Sequence, residues 1–190
     1  MVKAKLMHNG ESKFKMADIS NLNSKAIELP YKGDRLSMYI LLPNEQFGLA
    51  DVETKLSKTK LQEIFSKVDE SKEGKVDFVL PRFKLEKTIP LTEHLQKLGM
   101  TKMFSNSADF SGISDNTDLY VSAVMQKAFI EVNEEGSEAA AATGMVMGIR
   151  SMPMPSPKFV CDHPFMFFIK DKMTDMVLFS GRVVDPTASA

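Results

Sequence analysis

Glu134 to Pro157 reads EEGSEAAAATGMVMGIRSMPMPSP. It separates two apolar, strand-like runs, DLYVSAVMQKAFIEV before it and KFVCDHPFMFFI after it. A connecting loop in a compact domain is about half as long. The first half of the segment is almost all small residues, and the second half holds a lone base, Arg150, among Met, Gly and Pro.

Taken alone, GSEAAAAT reads as a short helix with Ser137 as cap and Gly144 as terminator. In context a second reading stands beside it. Ala is depleted in ordinary strands, so four in a row point to a steric demand: small side chains let a segment slot between existing strands without overfilling the space. No Pro occurs before Pro153, so every earlier residue of the segment has a ladder donor. The 15 residues from Gly136 to Arg150 would reach about 50 Å as a strand, the length of a large sheet. Arg150 itself is either an ordinary exposed base or a residue of the kind that trypsin-like proteases accept in an acidic pocket.

Outward from this segment, the chain alternates short apolar runs. VKAKLMH, SKFKMADI and KAIELPY read as strands, and RLSMYILLP as a buried one. YKGD (Tyr31 to Asp34) is a hairpin turn signal. From Leu49 to about Val68 the period becomes helical: LADVETKLS, then TKLQEIFSKV, place Leu56, Leu61, Ile64, Phe65 and Val68 at helix-like spacing. Its Lys-rich side reads as a solvated face of mixed charge, with a binding patch as the alternative. KVDFVLPRFKLEKTI is extended chain, with Pro81 at an edge, bulge or crossing point. LTEHLQKLG is a short helix with Thr92 as cap and Gly99 as stop. A polar link, the long strand, the loop and two closing strands, FMFFIKDK and MVLFSGRVVDP, complete an α+β chain rich in strands.

Composition narrows the function classes. The chain has 190 residues, 43% hydrophobic and 26% charged, with a net charge of -1. That is one domain's worth of core and no electrostatic reason for a nucleic-acid or anionic-membrane partner. No apolar run approaches the roughly 18 residues of a membrane span, and the first residues carry no signal-peptide pattern. The single cysteine, Cys161, excludes an internal disulfide. No enzyme machinery is visible: the three His (His8, His94, His163) have no metal-ligand spacing, and no GxSxG or phosphate loop is present. The Cys161-Asp162-His163 run invites a nucleophile reading, but neighbours in extended chain alternate faces and do not converge on one atom. No metal or cofactor is expected.

With these residues assembled, the chain resembles the C-terminal half of a serpin. FVCDHPFMFFI matches the family signature, carried by Phe159, Asp162, His163, Pro164 and Phe165. EEGSEAAAATG matches the hinge of inhibitory members, over Glu135, Gly136, Ser137, Glu138, Ala139, Ala140, Ala141, Ala142 and Thr143. ELPYKGD, VDFVLPRFKLE and LFSGRVVDP look like their serpin counterparts. Gln126 stands where the family often has His, and Cys161 where the signature allows any apolar residue.

The resemblance implies a partial serpin fold over residues 1–190, with a reactive-centre loop at about 134–157. Counting from the hinge places the scissile bond at Arg150–Ser151. It further implies a suicide inhibitor of trypsin-like serine proteases, trapped as a covalent acyl-enzyme, and a monomer at full length. A non-inhibitory carrier or chaperone, an inactive fragment lacking the N-terminal half, and a plain interaction domain are the alternatives. A glycosaminoglycan partner is left open. Arg-type members are mostly extracellular, so secretion is expected, with the cytoplasm as the alternative; Met1 is expected not to be the natural start.

Overall fold

Most of the chain's apolar runs become strands. In the computed structural model of the protein, residues 3–114, 118–134 and 156–188 are described. The elements in chain order are β1 (Leu6–Phe14), β2 (Met16–Ile19), β3 (Ser24–Pro30), β4 (Leu36–Pro43), α1 (Leu49–Lys55), α2 (Lys58–Glu70), β5 (Gly74–Pro81), β6 (Phe83–Pro90), α3 (Thr92–Lys97), β7 (Met125–Val132), β8 (Lys158–Val160), β9 (Phe165–Asp171) and β10 (Met176–Val183). They gather in two compact units. One takes the chain up to Phe83 together with Val132–Thr187, and the other takes Lys84–Glu131.

The first unit holds a five-stranded antiparallel sheet in the order β10-β9-β4-β3-β2. β4 and β9 lie in its middle and are buried on both faces, which is why their sequences read as near-continuous apolar runs. One face carries the helices. Val52 of α1 and Ile64, Phe65 and Val68 of α2 pack with Ile19, Ala26, Tyr39, Leu41 and Phe168. The ring of Phe65 lies 4.7 Å from Tyr39 and meets Phe168 edge-on at 5.9 Å. On the other face Ile27, Ile40, Phe165 and Phe167 are buried, and Phe83 packs on Phe165 and Phe167 at 6.0 and 5.8 Å. Gly181 of β10 stands opposite Phe167, and a Cβ there would sit 2.5 Å from the ring's Cζ. Only glycine lets the aromatic ring lie across that strand.

A second, three-stranded sheet in the same unit runs β1-β5-β8, with β1 antiparallel and β8 parallel to β5. β1 runs straight through the HNGES stretch, where the sequence reading ends one strand and begins another. One extra residue is absorbed there as a bulge between Asn9 and Ser12, and the real break falls at Lys15. The chain leaves β5 at Pro81 and enters β6 in a different sheet at Phe83, the crossing that Pro81 announces.

Three further expectations are corrected. The helical stretch is two helices: Leu56 is extended, and Ser57 Oγ accepts from the Lys60 N–H to start α2 afresh. Thr92 does not cap α3; Leu91 precedes the helix, and Thr92 Oγ1 accepts from the Val124 N–H at 2.9 Å. The strand before the loop begins at Met125 rather than Asp118. Its expected first part bonds elsewhere, Val121 N–H to Met103 O and Leu91 N–H to Val124 O. Gly99 does stop α3, at φ +93°. The YKGD turn also forms as read, with Asp34 N–H donating to Tyr31 O.

In the second unit β6 pairs with β7. Glu86 ion-pairs with Lys127, and the Lys84 ammonium lies 5.2 Å from the Phe129 ring centre. Two steps along one strand match two steps back along the other, which marks an antiparallel register. Strands from both ends of the chain with few short helices make this an α+β fold, as the sequence reading expects.

The five-stranded sheet also buries charge. Glu28 is 4% exposed and accepts from Ser37 Oγ at 2.7 Å and Lys172 Nζ at 2.8 Å. Burial opposes its ionised form, but the hydrogen bonds from Lys172 and Ser37 outweigh burial and hold the carboxyl below its usual range. A depressed carboxyl contributes stability above the unfolded-state value of about 4.3 and loses it as the pH falls through the folded value. Glu28→Gln should therefore lower the unfolding free energy at pH 7 by about 1–3 kcal/mol. The gap to the parent should close on acidification below the carboxylate range, as read in urea titrations at a series of pH values. A gap that stays constant on acidification would show that Glu28 is not held charged.

Candidate functional site

The segment singled out in the sequence leaves one sheet and re-enters another. β7, which pairs with β6, leads into it, and β8, which pairs with β5, follows it. The expected hinge, Glu135 to Thr143, and the expected reactive bond, Arg150–Ser151, lie outside the described residues. Both roots of the segment lie within them.

At the upstream root, Glu134 is held by Arg82, whose Nε and Nη2 reach the same carboxylate oxygen at 2.7 and 2.5 Å. The hydrogen bond from Arg82 holds the Glu134 carboxyl below its usual range. Arg82 sits between β5 and β6, where Pro81 turns the chain from one sheet to the next, and its own N–H donates to Lys5 O at 2.8 Å. The pair is half exposed and so contributes geometry more than stability.

At the downstream root, Asp77 N–H donates to Pro157 O at 2.9 Å. Three residues of β8 then run parallel to β5, pairing Lys158, Phe159 and Val160 with Asp77, Phe78 and Val79. Cys161 N–H closes the ladder on Val79 O. Phe159 is fully buried, its ring 6.1 Å from Phe78, which in turn lies 5.2 Å from Phe14.

The signature residues divide by role. Phe159 and Phe165 are core, one in each sheet of the first unit. Between them the chain crosses from β8 to β9, and His163 pins the crossing: Nε2 faces Pro43 O at 2.7 Å and Nδ1 faces Asp162 Oδ1 at 2.6 Å. Asp162 and His163 thus do meet, although alternation along an extended chain kept them apart in the sequence reading. Cys161 points away into the core, where burial first and the charge of Asp162 second push its thiol far above the ordinary range. A protonated, enclosed thiol is no nucleophile, so the Cys-Asp-His run is structural. Gln126 and His94 are exposed. Among the described residues no group of three or more His, Cys, Asp or Glu could hold a metal ion, and no helix is long and apolar enough to cross a membrane.

Sequence reasoning missed Arg82 and the pair His8–Asp77, whose Nε2 and Oδ1 lie 2.6 Å apart across β1 and β5. The partners are 52 and 69 residues apart in the chain. No local pattern announces such pairs; only the sheet order brings them together.

The serpin (serine protease inhibitor) family model matches residues 1–186, and the chain belongs to the serpin family. Human Serpin B4 is 44% identical over 173 residues, which is 91% of this chain and 44% of that protein. Mouse leukocyte elastase inhibitor A is 44% identical over 187 residues, 96% of this chain and 48% of that protein. Uncleaved ovalbumin superposes with a TM-score of 0.79 at 35% identity, over 96% of this chain and 44% of that chain. The chain therefore spans about half the length of the curated relatives it matches.

Cys161 gives a direct measure of how firmly the downstream root is held. In native buffer the thiol should resist a thiol-specific reagent that labels it at once in denaturant. Rapid, complete labelling of the folded protein would show that β8 leaves β5 freely.

Proposed function

We propose that this chain is the C-terminal half of an inhibitory serpin that traps a trypsin-like serine protease at Arg150–Ser151. The observation that carries the reading is the small-residue hinge EEGSEAAAATG, set between strands of two different sheets in a chain of this family. The protease serine attacks the Arg150 carbonyl, the Arg150–Ser151 peptide bond breaks, and an acyl-enzyme forms while the Ser151 amine leaves. The severed segment from Ser137 onward then inserts as a new strand and carries the protease with it. Its catalytic site is distorted before water completes hydrolysis. The intact protein is a metastable state that relaxes once. Ala139 to Ala142 keep insertion fast because they place no bulk between strands.

The relatives favour a second reading of the target. The name of the mouse relative is that of an elastase inhibitor, and an elastase has a small specificity pocket that Arg does not fit. Cleavage would then follow a small aliphatic residue such as Val146. The compartment lies between secretion, which the Arg bait favours, and the cytoplasm, which a lone reduced thiol fits equally.

The test uses a serpin-length protein carrying this chain, mixed separately with trypsin and with leukocyte elastase. A band near the summed masses that survives SDS with trypsin, and a released peptide beginning at Ser151, are the expected results. An adduct with elastase alone moves the bond; cleavage with no adduct makes the protein a substrate-type or carrier serpin. Arg150→Ala should abolish the trypsin adduct, and retention of full inhibition would refute the bond assignment. Ser137→Arg, a bulky charge at the start of the inserting strand, should convert the inhibitor to a substrate. A full yield of adduct from that variant would sink the hinge argument.

A further inference from the structure

We infer that His8 is a positioning residue for the downstream root of the reactive segment, acting through Asp77. The inference rests on the reading of that segment as an inhibitory loop and names a residue that controls it. Asp77 lies in the central strand of the β1-β5-β8 sheet, and its N–H donates to Pro157 O, the first bond that holds the chain as it returns to β8. It is also the residue of β5 that lacks a regular partner on the other side. The β1 ladder pairs Asn9 with Phe78 and Ser12 with Val76, so the bulge in β1 falls opposite Asp77. The sheet is thus interrupted on one side of the residue that bears the load on the other.

The Asp77 backbone faces β8, so its tie to β1 is made by the side chain, through His8. His8 stands opposite Val79, and its ring crosses diagonally to Asp77, placing Nε2 2.6 Å from Oδ1. Diagonal neighbours on one face of an antiparallel pair are within reach of a long or aromatic side chain. The bond fixes the Asp77 side chain from β1 while its backbone faces β8. Below this point, among the described residues, the backbone bonds of the downstream root are those of the three paired residues of β8 and of Cys161 to Val79, with Phe159 buried beside them. A loosened Asp77 therefore weakens the first of these bonds, from its N–H to Pro157 O. A root held in register keeps β8 paired while the upstream part inserts.

His8 is 61% and Asp77 28% exposed at the side chain, so the effect is that of a surface pair. His8→Ala should speed hydrogen exchange of the Asp77 and Cys161 amides by up to about fivefold, with Ile40 in the five-stranded sheet unchanged. His8→Gln, which keeps a donor, should restore the parent rates. In a serpin-length protein carrying the chain, His8→Ala should raise the number of inhibitor molecules cleaved per trypsin trapped, and His8→Gln should lower it again. Unchanged exchange at Asp77 and Cys161, or an equal change at Ile40, overturns the tether. Local exchange that responds while the trypsin stoichiometry does not overturns its role in inhibition. If the parent protein forms no adduct at all, the inhibitory reading fails, and the exchange data alone still decide whether His8 holds the root.

Discussion

The pairing of β9 with β4 is the contact on which the rest depends. It joins Met38 to Ile169 and Leu41 to Met166, and the Arg35–Asp171 ion pair at its end closes 136 residues of chain. Closing so long a loop costs only modestly more entropy than closing a short one, but the return must come from burial. β4 and β9 supply it by being enclosed on both faces, each large side chain contributing on the order of 1.5–3 kcal/mol. The helices α1 and α2 have a surface to lie on only because this ladder exists, and Phe83 finds its aromatic partners on the reverse side.

Polar contacts with the same sheet hold the C-terminal end of α2. Tyr39 donates to Asp69 Oδ1 at 2.6 Å, Lys15 donates to Asp69 O at 2.9 Å, and the Lys170 ammonium lies 3.7 Å from Asp69 Oδ2 and 5.1 Å from the Phe65 ring. Asp69 is the penultimate residue of α2, so cations gather where the helix dipole is negative. Burial and the bond to Asp69 push the Tyr39 hydroxyl far above its ordinary range, so it acts as a fixed donor. Among the described residues no buried side-chain nitrogen or oxygen lacks a hydrogen-bond partner. Apolar burial holds the helices down; these bonds decide their register along the sheet.

What the sequence made legible follows from how far its signals reach. Periodicity is local, so it found β4, β9, the α2 face and the Pro81 crossing. Turn chemistry is local as well, and YKGD and Gly99 behaved as read. Thr92 failed as a cap because Val124, a distant residue, claimed its hydroxyl. The break expected between VKAKLMH and SKFKMADI failed because β5 paired with β1 on both sides of it and turned it into a bulge. The signature was recognisable as a pattern of letters, yet its reasons are long-range: Phe159 meets Phe78, and His163 reaches the Pro43 carbonyl 120 residues away. The two roots of the Glu134–Ser156 segment share that property, since Arg82 and His8 bond across strands whose neighbours no window of sequence specifies.

The position of β9 carries a topological consequence. The strands that follow Ser156 are woven into two sheets: β8 lies against β5, and β9 lies between β4 and β10. A nick in the backbone between Glu134 and Ser156 severs the polymer without severing the fold. The distal piece stays as a tightly held peptide whose dissociation would require opening the middle of a sheet. Native chromatography would report one particle where a denaturing gel reports two chains.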